Sequence, residues 1–284
     1  MDVTITGLYH YPVKSLRGIG LAQCSLTRKG VFGDREWVVI DENGAFLSQR
    51  KLPRMALIRV RRREHGLELS LGPDSCLAST PANDASIREV SVWKDKAVGI
   101  LAADSINKWL TRVLESEKPL FLASFDKSRE RLPGQPLRFG ADATHFADAA
   151  PFLIANAFSL HALNLSLTLQ DKPEVDIRHF RPNIVISGLP GFAEHHIRGL
   201  RHRATDIEFS LVDPCQRCSI ITLDPDSAEQ MPEAIPFKQL TSLNPMPGNK
   251  KAPAFGMNAC ILDTDDIEAL QEGLRLGDRL EVIQ

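Results

Sequence analysis

Residues 36–50 read EWVVIDENGAFLSQR. Glu36 to Asp41 is a short apolar run rich in β-branched residues, which favours a strand. Asn43-Gly44 follows, a dipeptide suited to the left-handed turn of a β-hairpin. Ala45 to Arg50 then reads as the returning strand. Residues 2–10 alternate as well, with Val3, Ile5 and Leu8 apolar between polar neighbours. Met55 to Val60, Leu67 to Leu71 and Ile87 to Val92 continue the pattern. Short strands with a turn every 8–12 residues or so predict a barrel or sandwich. Ile106, Trp109, Leu110, Val113 and Leu114 recur at helical spacing, and Asp104 or Ser105 can cap that helix. Residues 115–135 are polar, charged and proline-containing, which places a boundary near residue 118. Asn156 is the expected N-cap of a second helix. Strands return at Asn183 to Ser187, Ile207 to Val212 and Ile220 to Leu223. Leu276 to Ile283 reads as a turn feeding a last strand. The fold class predicted is mainly β (α+β): two β-barrel-like units with a few peripheral helices, over 1–118 and 119–284.

The 284 residues carry 34 Lys+Arg against 36 Asp+Glu, and 43% are hydrophobic. That length suits roughly two domains. The balanced charge gives no field of one sign for a nucleic acid or an anionic membrane. Any anion must be held by a local cluster. No stretch approaches the roughly 18 apolar residues of a membrane span. The first residues, MDVTITGLYHYPVKS, alternate like a strand and lack the pattern of a signal peptide. Five cysteines, Cys24, Cys76, Cys215, Cys218 and Cys260, form an odd, sparse set. With no export signal they suggest reduced thiols and a cytoplasmic location.

Cys215-Gln216-Arg217-Cys218 allows four functional readings: half a zinc site, a dithiol redox pair, a single-thiolate metal site and a sulfur carrier. A fifth reading is a chance pair on a barrel strand. Structural zinc needs four ligands, and His195-His196 would point to opposite faces of a strand. A thioredoxin-like pair should open a helix, whereas Ser219 to Leu223 reads as β. Arg217 beside Cys218 favours thiolate over thiol, and a thiolate is a soft metal ligand. Lys14-Ser15 leaves the first strand without the glycines of a P-loop. Asp34-Arg35 precedes the hairpin strand, and Arg181-Pro182-Asn183 precedes another. Each is ordinary alone: a solvated lysine, a loop ion pair, a proline at a strand's edge. Three basic residues at strand ends are consistent with one anion site. The basic run Arg61 to Arg63 reads as a solvated hairpin end. Eight scattered histidines and the lack of H-E-x-x-H, G-x-S-x-G or G-x-G-x-x-G leave zinc protease, hydrolase and dinucleotide readings without support.

Taken in chain order, Tyr11-Pro12-Val13-Lys14-Ser15, Asp34-Arg35, Phe180-Arg181-Pro182-Asn183 and Cys215-x-x-Cys218 with Thr222-Leu223-Asp224-Pro225-Asp226 resemble the MOSC family. The two-domain members, amidoxime-reducing components and their bacterial relatives, are the nearest in pattern. The resemblance implies a molybdenum ion on one phosphorylated pterin, Mo-molybdopterin. It implies Cys218 as the protein ligand and catalytic residue. Lys14, Ser15, Arg35 and Arg181 match positions holding the pterin and its phosphate. Asn183, Gln216 and Arg217 match further contacts, Asp148-Ala149-Ala150 a lining loop, and Asn258 of Phe255-Gly256-Met257-Asn258 one more. Met257 departs from the glutamine often found there. The activity implied is a two-electron reduction of N-hydroxylated or N-oxide type small molecules. Some bacterial relatives append a [2Fe–2S] domain with four spaced cysteines. Only Cys260 lies beyond residue 218, so the expected donor is a separate flavin reductase, iron–sulfur or haem protein. The alternative is a molybdopterin or sulfur carrier without redox turnover. A third reading is a β-barrel interaction module.

Overall fold

The computed structural model describes residues 1–81, 85–262 and 267–284. Seven strands close a barrel. In spatial order they are Phe152–Asn156, Ile184–Ser187, Asp2–His10, Arg279–Ile283, Gly199–His202, Glu208–Gln216 and Asn249–Ile261. The ring closes because Asn249–Ile261 pairs antiparallel with Phe152–Asn156. One neighbouring pair, Phe152–Asn156 and Ile184–Ser187, is parallel. Parallel strands need a crossover, and the helix Ala157–Thr168 supplies it. As expected, Asn156 caps that helix, its side chain accepting from the Phe158 N–H at 3.1 Å.

The alternation of residues 2–10 breaks phase between Ile5 and Leu8. A bulge between Ile5 and Gly7 absorbs the extra residue, so Val3, Ile5 and Leu8 all reach the core. They meet Ile154, Ile186, Phe209, Ile261 and Leu280 there. Each such side chain contributes about 1.5–3 kcal/mol on burial.

The second unit is a half-barrel. Ile87–Val92, Asp95–Leu101, Phe121–Phe125 and Trp37–Ile40 form one sheet, and Arg59–Arg63, Gly66–Leu71 and Asp74–Ser79 another. The helix Asp104–Val113 lies with both over a common core that includes Val39, Leu69, Trp109 and Leu122. Strands are shared across residue 118: Asp2–His10 sits in the closed barrel, and Phe121–Phe125 in the four-stranded sheet. No described helix is long and apolar enough to cross a membrane.

Four local expectations are corrected. Ala45 to Arg50 forms only isolated bridges, Phe46 to Ile40 and Ala45 to Ser91. The Asp41 carboxylate takes the N–H groups of Asn43 and Ala45, and this Asx turn competes with a regular ladder. Pro53 opens a 3-10 turn over Pro53–Leu57, so the strand there begins only at Arg59. Neither Asp104 nor Ser105 caps the first helix: Ala103 is the N-cap, and no side chain bonds there. Ile220 to Leu223 is not a strand, because Ser219–Thr222 turns as a 3-10 helix behind Cys218.

Candidate cofactor site

The three basic segments meet at one end of the barrel. Residues 11–15 run beside residues 35–37: the Lys14 N–H bonds the Trp37 carbonyl at 2.7 Å, and the Arg35 N–H bonds Tyr11 at 2.7 Å. Asn183 bridges two barrel strands, its carbonyl accepting from Tyr9 and its N–H donating to Leu153, both at 2.8 Å. That places Lys14, Arg35, Arg181 and Asn183 around one opening.

A cavity of about 370 Å³ lies there. Its wall includes Lys14, Ser15, Arg35, Asp148, Ala149, Ala150, Arg181, Asn183, Gln216, Arg217, Cys218 and Asn258. The twelve residues singled out from the sequence therefore share one wall, although 244 positions separate Lys14 from Asn258. Met257, between two core-facing strands, is buried in the barrel core instead. Gly256 has φ +72, and a Cβ there would stand 2.7 Å from the Ile154 carbonyl oxygen. Only glycine lets the strand carrying Asn258 pass so close.

The wall is electropositive. Six cations, Lys14, Arg35, Arg50, Arg138, Arg181 and Arg217, face two carboxylates, Asp148 and Asp213. Lys14 is buried, and its ammonium donates to the Phe146 carbonyl at 2.7 Å and to Asp148 at 2.6 Å. Burial lowers its affinity for a proton, and Asp148 pulls the other way. The surrounding protein opposes ionisation of Asp148, but its side chain is 65% exposed, and Lys14 and the Trp93 indole hold the carboxyl well below the usual range. Arg35 pairs with Asp34 and donates to Asn183 Oδ1 at 3.0 Å. Arg181 donates to the Leu16 carbonyl at 2.8 Å. The Tyr11 ring lies between the two guanidinium groups, at 4.3 Å from Arg35 and 4.4 Å from Arg181. No carboxylate among the described residues pairs with Arg181, and burial pushes it down to about 10.

Part of the chain's left-handed backbone falls on the same wall. Ser15, Arg35 and Arg181 have φ of 65, 49 and 55. Left-handed conformation in residues with a Cβ costs about 1 kcal/mol or more each, and such positions cluster at functional sites.

The thiol side differs from the sequence reading in one respect. Arg217 does not bond Cys218. Its guanidinium donates to Cys215 Sγ and to the Phe180 carbonyl, each at 2.8 Å. Burial raises the Cys215 pKa, and Arg217 opposes that rise. Chain direction explains the choice: Cys215, the last residue but one of the strand Glu208–Gln216, stands two residues before Arg217, whereas Cys218 lies past the strand as the N-cap of the 3-10 turn. The buried Nε of Arg217 has no partner.

Sequence reasoning missed Trp93. It sits at the tip between Ile87–Val92 and Asp95–Leu101, with φ 57. Its indole N–H donates to Asp148 at 2.6 Å, Phe46 meets it edge-on at 5.2 Å, and Arg50 stands 4.7 Å over its ring. A tryptophan in a hairpin turn, where glycine or asparagine is usual, was the available signal. Arg131 was missed as well. Buried in the stretch taken for a linker, it donates to the carbonyls of His145 at 2.9 Å and Ala147 at 2.7 Å, and to Asp95 at 2.9 Å. It thereby pins the segment leading into Asp148.

Among the described residues, no three His, Cys, Asp or Glu side chains gather to hold a metal ion. The polypeptide thus offers a cationic cradle with one free thiol at its edge, not a complete metal cage.

A seven-stranded barrel with a cationic cavity is the class of fold that the structure defines, and the chain belongs to the MOSC family. The family models match as MOSC N-terminal beta barrel domain over residues 2–117 and MOSC domain over residues 141–281. The chain is 32% identical over 268 residues to mitochondrial amidoxime-reducing component 1 of Homo sapiens, covering 89% of this chain and 77% of that one. Its Danio rerio counterpart is 29% identical over 276 residues, at 92% and 81% coverage. Molybdenum cofactor sulfurase of Drosophila mojavensis is 28% identical over 281 residues, which is 96% of this chain and 34% of that one.

Proposed function

We propose that this protein is a molybdenum-cofactor oxidoreductase that reduces N-hydroxylated or N-oxide type small molecules. The relatives' names support a molybdenum-cofactor-related, enzymatic role at family level. One observation carries the finer reading. Twelve residues from distant segments line a single cavity with six cations, two carboxylates and the Cys218 thiol.

The residues present fit a phosphorylated pterin. Arg181 has no carboxylate partner among the described residues, and the Arg217 Nε is buried and unbonded. Both groups are donors awaiting an acceptor, and charge-assisted bonds to phosphate are the strong kind. Lys14, Ser15, Arg35 and Arg181 would hold the phosphate, with Asn183, Gln216, Arg217, Asn258 and residues 148–150 around the pterin. Cys218 would ligate the metal as a soft donor. Bound there, the cofactor supplies two-electron oxygen-removal chemistry. The chain's own part is to bind and orient it. Lys14 would exchange its bond to Asp148 for one to the phosphate. The Tyr11 ring packs against both the Arg35 and the Arg181 guanidinium groups. Trp93 and Phe46 present an apolar rim to the substrate. Electrons would come from a separate donor protein, and the reading includes a cytoplasmic site of action. It keeps 1–118 and 119–284 as sequence units that share strands.

The test is metal and pterin content after expression in a cofactor-competent host. About one molybdenum and one pterin per chain are expected. Cys218→Ala should lose the metal and keep most of the pterin, and turnover of N-hydroxylated substrates should vanish. Pterin without metal in the parent protein would favour the carrier reading. Neither group, from a host that loads other molybdenum enzymes, would overturn the proposal.

A further inference from the structure

A second cavity, of about 230 Å³, adjoins the first. Arg181 lines both. Its other walls include Tyr9, Tyr11, Arg17, Arg178 and His179, with Gly20 at one side. No carboxylate lines it among the described residues. Two buried polar atoms in its wall have no hydrogen-bond partner: the Tyr11 hydroxyl and His179 Nε2. Tyr11 is 2% exposed and His179 5%. Leaving such groups unbonded costs about 1–3 kcal/mol each.

The charges around the cavity are unevenly met. Arg178 is engaged by Asp176 and Asp226, and Arg17 by Asp226. Asp226 stands outside the wall and is half exposed. Arg181 has only a backbone carbonyl and the Tyr11 ring. Tyr11 lines the second cavity and not the first. The space is small, enclosed by guanidinium groups and fitted with a phenol.

We propose that this second cavity is a binding site for a small oxyanion, a carboxylate or a phosphate. The Tyr11 hydroxyl and Arg181 donate to it, and Arg17 and Arg178 supply the surrounding charge. The site adjoins the proposed cofactor cradle and shares Arg181 with it, but its test does not depend on that reading. Because Arg181 serves both walls, an anion bound here draws on positive charge that the cradle shares.

The chain has only two tyrosines, and both line this cavity. Protein labelled with ¹³C at the tyrosine ζ carbon therefore gives two resonances that report on it. Inorganic phosphate and acetate are titrated in separate arms. Tyr11→Phe assigns its resonance by loss. Gly20 stands exposed at the rim of the cavity with nothing within 4 Å of a Cβ, so Gly20→Leu obstructs the mouth. The expected result is saturable movement of the Tyr11 signal with one of the two anions, abolished in Gly20→Leu at an unchanged melting temperature. The half-saturating concentration read from Tyr9 should rise about tenfold in Tyr11→Phe, the loss of one bond to a charged group. Phosphate alone acting identifies a tetrahedral anion, acetate alone a carboxylate. No saturable movement with either would overturn the proposal, and so would movement that persists in Gly20→Leu. Should Gly20→Leu fold poorly, Gly20→Val takes its place with the same two outcomes.

Discussion

Two buried polar clusters lie in the barrel unit, and they are built on opposite rules. Around Glu194, the carboxylate and the side chains that reach it are bonded to one another, and only the adjoining His195 Nε2 is left without a partner. Ser159 Oγ lies 2.8 Å from both carboxylate oxygens, Asn156 donates at 3.2 Å, and the Phe192 N–H reaches Ser159 at 2.7 Å. Glu194, Ser159 and Asn156 are all fully buried. Around Tyr11, by contrast, Arg181 lacks a carboxylate, the Arg217 Nε and the Tyr11 hydroxyl lack partners, and three residues hold left-handed backbone. A closed cluster ties the helix Ala157–Thr168 to the turn at 193–196. An open one keeps its bonding capacity for something else.

The largest expected effect belongs to the closed cluster. Glu194→Ala strands the buried Ser159 hydroxyl, takes one of three acceptors from Asn156 and empties a fully buried site, and should cost about 3 kcal/mol of stability in urea unfolding. A loss under 1 kcal/mol would erase the contrast. Next comes the pH dependence of the neighbouring residue. Burial, then His196, pushes His195 down to about 4 from 6.5. Between those values the unfolded chain binds a proton that the folded chain refuses, so stability falls as pH drops from about 6.5 toward 4. The ceiling on that loss is roughly 3 kcal/mol. His195→Gln should flatten the acid limb of unfolding midpoints measured from pH 7 to 4.5, and an unchanged limb would assign the loss to other groups.

In the open cluster the order reverses: function should suffer more than stability. Arg181→Met removes a half-buried cation that has a backbone carbonyl but no carboxylate for a partner, and should change unfolding stability by less than about 1 kcal/mol. Pterin retained through gel filtration should fall at least tenfold. A large stability loss with retained pterin would recast Arg181 as structural. The smallest effect is at Ser15, whose φ of 65 suits glycine. Ser15→Gly should gain about 0.5 kcal/mol, read as a higher melting temperature. A lower melting temperature would show that its hydroxyl carries more than its strained backbone costs.

Much of the strand pattern was legible because alternation and turn chemistry act locally. The strand Ile87–Val92 and the Asn156 cap follow from neighbouring residues alone. Residues 45–50 and 220–223 misled because their apolar content suits a strand, while side-chain bonds and a tight turn decide the backbone. The candidate residues were legible only through a family resemblance. Composition carried no trace of the cradle, since six cations at one opening vanish in a total of 34 against 36 acids. Arg217 shows the remaining limit. Its place beside Cys218 in sequence suggested that partner, but the strand's end turned its guanidinium to Cys215. Trp93 and Arg131 act across sheets, and no spacing rule links them to Asp148.

The strand Asp2–His10 has its barrel partners at residues 184–187 and 279–283. During synthesis it therefore emerges long before either neighbour exists. At about 5–20 residues per second, the gap to residue 279 is roughly 14–55 seconds. Through that interval Val3, Ile5 and Leu8 have no closed barrel to enter. The half-barrel can assemble in the meantime, from residues 37–125, but the cradle needs both ends of the chain. A ribosome stalled before residue 279 would hold a folded first sheet beside a site that cannot yet form.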